Sequence, residues 1–122
     1  MRTKTVAINI LALAFTIAPL GIATANEEAE YTCEEAADNL SSVIDDWHQF
    51  IREMGAEDKN ASVLAMHADS EDGVLIDKFT RQCVEDWEEH QDIFTCFSGV
   101  RSEMGAAMCQ HPDTNKNGWR YE

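Results

Sequence analysis

The sequence predicts an all-α fold, a small disulfide-linked helical bundle of three main helices plus short helices. Three observations predict it. Apolar residues recur at three- and four-residue spacing over the clearest segments, which is the period of one helix face. No stretch alternates apolar and polar residues as a half-buried strand does, and β-branched runs are few. Four cysteines, at 33, 83, 96 and 109, follow an export leader; an even number in a short exported chain is read as a disulfide framework.

The leader is 1–25. Arg2 and Lys4 are the only charges before Glu27, 6–18 is an almost unbroken apolar run, and Ala23-Thr24-Ala25 supplies small residues for a signal peptidase. Crossing a bilayer takes about 20 apolar residues; this run is shorter, and Pro19 and Gly21 are expected to break its helix. The sequence therefore predicts cleavage after Ala25, releasing a helical domain over 26–112 and a polar tail over 113–122 into the periplasm or the exterior.

A short acidic lead-in, 26–31, precedes the clearest element. Thr32 and Glu35 have the spacing of a capping box. Ala36, Ala37, Leu40, Val43, Ile44, Trp47, Phe50, Ile51 and Met54 then mark one face of a helix over 32–54, with Gly55 as its C-cap. Residues 56–72 are polar, with Asn60 or Ser62 capping a short helix through Val63, Leu64 and Met66, and Asp72-Gly73 forming a turn. A second long helix is expected over 74–89, placing Leu75, Ile76, Phe79, Cys83, Val84 and Trp87 inside. Asp92 is expected to cap a third carrying Ile93, Cys96, Phe97 and Val100. A last short helix, 102–109, is interrupted at Gly105, and His111-Pro112 ends it.

Four cysteines allow three pairings. If the chain reverses near His90 and again near Ser102, Cys109 returns to the level of Cys83. Cys33 then lies near the turn that carries Cys96. The expected pairing is Cys33–Cys96 with Cys83–Cys109; Cys33–Cys83 with Cys96–Cys109 is the alternative.

The lone Cys33, then Cys83 with Trp87 four residues on, then Cys96 and Cys109, resembles a pattern in small exported helical proteins of Gram-negative bacteria. The resemblance spans 33–109 and implies helices, disulfides and export, with no activity attached. Tyr31-Thr32-Cys33-Glu34, opening an acidic helical domain, is similar to the start of small periplasmic acid-stress chaperones.

The chain has 122 residues and a net charge of -14, and loss of Arg2 and Lys4 with the leader makes the remainder more acidic still. Nucleic acids and anionic membrane surfaces need a basic face, so they are not the expected partners; a protein is. The most specific local motif is Asp113-Thr114-Asn115-Lys116-Asn117-Gly118, the opening of a calcium loop. Asp113, Asn115 and Asn117 would supply oxygens at positions 1, 3 and 5, and Trp119 its backbone carbonyl at position 7. Glu122, at position 10, would have to stand in for the usual bidentate glutamate. Asn, Asp and Gly also favour plain Asx turns, which makes a flexible tail the competing reading.

Other chemistry is sparse. His48, His67, His90 and His111 are dispersed, with no helical spacing to a second strong metal donor. Met104 and Met108, with Cys109 and His111, could hold Cu(I) only if Cys109 were reduced; methionines four apart are more simply core filling. Asp45-Asp46, Glu53 with Glu57, and Glu85-Asp86 are read as solvated charge. No nucleophile elbow, phosphate loop or dinucleotide fingerprint is present, so no enzyme activity and no cofactor is expected. Two functions fit: an exported, non-catalytic accessory protein that binds another protein through a helical face, or an ion- or pH-responsive protein, either binding calcium weakly through the C-terminal tail or acting as an acid-activated periplasmic chaperone.

Overall fold

The computed structural model describes the backbone of residues 5–122 and the side chains of 27–122. Arg2 and Lys4, and the side chains of the apolar leader run, lie outside the described residues. Among the described residues five α-helices follow in order: α1 (Thr5–Glu53), α2 (Ala61–Glu71), α3 (Leu75–Glu85), α4 (Gln91–Phe97) and α5 (Glu103–Cys109), with one 3₁₀ turn at Glu57–Lys59. The all-α expectation is met.

The first helix is longer than the sequence suggested. It runs through Pro19, Gly21 and Thr32 without a break. A single proline removes one i→i−4 bond, and the Ala- and Glu-rich residues 22–31 propagate a helix readily. Thr32 and Glu35 are therefore interior residues and form no capping box. Cleavage after Ala25 would leave Asn26, Glu27 and Glu28 as a new first turn, with an amide and two carboxylates suited to a helix N-terminus.

Two glycines do act as stops. Gly55 has φ 66° and Gly73 φ 76°, the left-handed geometry that glycine adopts without a Cβ penalty. At each end the following residue reaches back five positions, Ala56 N–H to the Ile51 carbonyl and Val74 N–H to the Asp69 carbonyl, both helped by an i→i−3 bond from the glycine. These are Schellman closures. Asn60 occupies the N-cap position of α2, but its side chain donates to the Ala56 carbonyl instead of capping.

Both α2 and α3 run counter to α1. His67 of α2 lies beside Asp45 and His48, whereas Cys83 of α3 is bonded to Cys33. As the chain advances from 67 to 83, its neighbour on α1 retreats from 48 to 33. That path decides the disulfides. They are Cys33–Cys83 and Cys96–Cys109, with Cα–Cα separations of 5.8 and 5.7 Å. The expected Cys33–Cys96 and Cys83–Cys109 pairing is thus corrected to its alternative. Sequence spacing puts Cys33 near the turn after α3; in the structure α2 occupies the C-terminal half of α1 and carries α3 directly onto Cys33. Closing loops of 50 and 13 residues contributes about 4 and about 3 kcal/mol by restricting the unfolded chain.

The core gathers Leu40, Ile44 and Trp47 of α1, Met66 of α2, Phe79 of α3, and Phe94 and Phe97 of α4. Phe79 is its hub, edge-on to Phe94, Phe97 and Trp119 and stacked on Tyr121. Asn39 of α1 donates from Nδ2 to the carbonyls of Phe97 (3.2 Å) and Ser98 (2.8 Å), closing the C-terminus of α4. Asp92 does not cap α4; His90 holds that position without a side-chain bond. Gly105 does not interrupt α5, because its N–H is taken by the Ser102 hydroxyl.

Several apolar residues expected inside are outside. Ile76 is 42% and Val84 38% exposed, and Met104 and Met108 are 59% and 66% exposed. On α3 the buried stripe is Leu75, Phe79 and Cys83, four apart, so Ile76 and Val84 stand about 100° round the helix from it. Phe50 and Met54 are likewise exposed at the end of α1.

Candidate functional site

The segment expected to bind calcium is part of the packed structure. Trp119 and Tyr121 are each only 4% exposed, so the boundary at 112 separates no free tail from the core. The Trp119 indole N–H donates to Asp86 (3.0 Å), and Asn117 Nδ2 donates to the Glu89 carbonyl (2.6 Å). Those two bonds take up polar groups just past α3. They accompany its end at Glu85, short of the expected 89, after which i→i−3 bonds from the N–H groups of Trp87, Glu89 and His90 carry the chain to α4.

Two of the four expected calcium donors are already engaged. The Asn115 side-chain oxygen accepts the Trp119 N–H (2.8 Å), and Asn115 Nδ2 donates to the Trp119 carbonyl (3.0 Å). Calcium would have to displace both bonds. Asp113 is exposed; its backbone N–H donates to His111 Nδ1, and its carboxylate stands 3.6 Å from the same nitrogen.

Tyr121 fastens this C-terminal segment, a strap over 113–122, to α2 and α3. Its hydroxyl donates to Asp69 at 2.6 Å, and Lys78 pairs with the same carboxylate oxygen at 2.8 Å. The Lys78 bond first, and the Tyr121 bond next, hold the Asp69 carboxyl below its ordinary range. Burial, followed by the bond to Asp69, pushes the Tyr121 phenol well above its ordinary range.

His48 and His67, dispersed in the sequence, are brought together. Their rings stack with centroids 3.8 Å apart and planes within 5°, and His67 Nε2 lies 3.5 Å from Asp45. Parallel rings cannot both aim a lone pair at one ion. Among the described residues no three His, Cys, Asp or Glu side chains are grouped to hold a metal.

A large cleft lies elsewhere among the described residues, between α1 and α3. It is an open groove of about 920 Å³. Its margin on α1 is Glu30, Glu34 and Asp38, three carboxylates one helical turn apart; its margin on α3 carries Asp77 and Glu85. Ile76 and Val84 supply apolar surface between the two margins, with half-buried Thr80 between them and Arg81 as the single cation. Among the described residues, none of these charged groups enters an ion pair. Among the described residues no His or Cys lines the groove, and an open groove suits a protein segment lying along it better than an enclosed small molecule.

This groove is not visible in the sequence, because periodicity places Ile76 and Val84 in the core and Glu30 in a lead-in ahead of the helix. The Glu30, Glu34, Asp38 spacing of four was the legible signal, because it puts all three on one face once the helix is known to extend past Thr32. Comparison with family models, curated proteins and solved structures gives no match.

Proposed function

We propose that this chain is an exported, non-catalytic accessory protein that holds a segment of another protein on the groove between α1 and α3. The observation that carries the reading is the exposed apolar pair Ile76 and Val84 on a helix whose buried stripe, about 100° away round the helix, is already satisfied in the core. Apolar surface flanked by polar residues is the usual composition of a docking site. Export is supported by the leader pattern and by the two disulfides, which persist in oxidising compartments. The resemblance to exported four-cysteine helical proteins favours the same compartment. Among the described residues no helix is long and apolar enough to cross a membrane.

A photo-crosslinking residue at position 76 or 84, in the protein expressed and exported in its own cell, tests the docking face. Both positions should give one discrete cross-linked protein, and position 46, on exposed α1 surface, should not. Equal labelling from all three positions, or none from any, would contradict the reading.

A further inference from the structure

The margins of the groove specify more than an apolar contact. Carboxylates line the groove from both helices: Glu30, Glu34 and Asp38 of α1, and Asp77 and Glu85 of α3, with Arg81 midway between that last pair in sequence. Because α3 runs counter to α1, Glu85 lies toward the Glu30 end and Asp77 toward the Asp38 end. The end members of each set are eight positions apart, about 12 Å of helix. Ile76 and Val84 are separated by the same two turns. Among the described residues, five carboxylates against one guanidinium, with no ion pair to neutralise them, make a persistent negative field over an apolar floor.

We infer that the segment held on this groove is a basic amphipathic helix of a partner protein, with an apolar stripe on Ile76 and Val84 and Lys or Arg along both margins. This rests on the docking reading above and adds the chemistry of the occupant. Two turns between floor contacts match side chains seven or eight apart on one face of a helix. Cations flanking that stripe would meet carboxylates on both sides, and opposite potentials across an interface favour encounter and fix register. A second copy of this chain is a poor occupant, since each copy carries a large net negative charge and the groove would face its own sign. Anionic lipid is repelled for the same reason.

The test uses the oxidised, exported protein and two synthetic helical peptides of equal length, one of Leu and Lys and one of Leu and Glu, followed by fluorescence anisotropy. The Leu/Lys peptide should bind and the Leu/Glu peptide should not. Glu34→Lys with Asp38→Lys should weaken binding roughly tenfold or more, as expected for charges bordering an interface. The control Asp46→Lys with Glu53→Lys changes net charge equally away from the groove and should leave affinity within about twofold by the same argument. Raising salt from about 0.05 M to about 0.5 M should weaken the complex, since screening then acts within a few ångströms. If both double variants weaken binding equally, net charge alone attracts the peptide and the inference is overturned. If both peptides bind alike and Ile76→Ser with Val84→Ser abolishes both, the docking face stands but its preference for a basic partner does not. If that serine variant changes nothing, the docking face itself is lost. All these substitutions are at exposed positions, and circular dichroism verifies that each variant retains its helices.

Discussion

Trp47 and Ile76 are both apolar residues on helices, and their environments assign them opposite roles. Trp47 is 1% exposed in the middle of α1, so Trp47→Ala should cost about 3–5 kcal/mol through the cavity it leaves. Ile76→Ala should stay within about 0.5 kcal/mol, the range of surface sites. Urea denaturation of the two variants checks the pair; a large loss at Ile76 would mean that α3 is rotated relative to its described phase. Asn115 makes a related claim. Its amide is held on both sides by the Trp119 backbone and the Trp119 ring is in the core, so millimolar calcium should leave Trp119 fluorescence unchanged. An enhancement lost in Asp113→Ala would restore the calcium loop.

At the scale of elements, the C-terminal strap titrates at both ends of the pH range. Asp69 is held below its ordinary value of 3.8. It therefore contributes stability above that pH, lost as pH falls through its lowered folded value. The Tyr121 phenol is raised above its ordinary 10.0. Its contribution is present below that pH and lost as pH rises beyond it, because only the unfolded chain ionises easily. Tyr121→Phe should cost about 1.5–3 kcal/mol near neutrality, the range for a hydrogen bond to a charged group. It should also flatten the loss of stability above pH 10.0; an unchanged alkaline limb in thermal melts would place that sensitivity elsewhere. The strap also marks where sequence reasoning reached its limit. The core face of α1 from Ala36 to Ile51 and the stops at Gly55 and Gly73 were legible, because periodicity and glycine geometry are local. Burial of Trp119, the end of α3 at Glu85 and the disulfide partners were not, since each depends on which element arrives opposite. The same applies to Ile76 and Val84, whose spacing admits a core face or an exposed one until α1 fixes the phase of α3.

The whole molecule combines two cross-links, a compact aromatic core and a strongly acidic surface. Peptide mapping under non-reducing conditions should recover Cys33–Cys83 and Cys96–Cys109, and the exported product should begin at Asn26. Recovery of Cys33–Cys96 would contradict the antiparallel path of α3 along α1. The acidic surface gives general repulsion from polyanions, while the groove between α1 and α3 concentrates carboxylates around exposed apolar residues. Docking at this groove is tested most directly by amide chemical-shift mapping of the oxidised protein as the Leu/Lys peptide is added. Shifts are expected only within 30–38 and 76–85, with Trp47 and the core amides outside those segments unmoved. Shifts concentrated instead around the exposed Met104 and Met108 of α5, or spread evenly over all acidic surfaces, would contradict it.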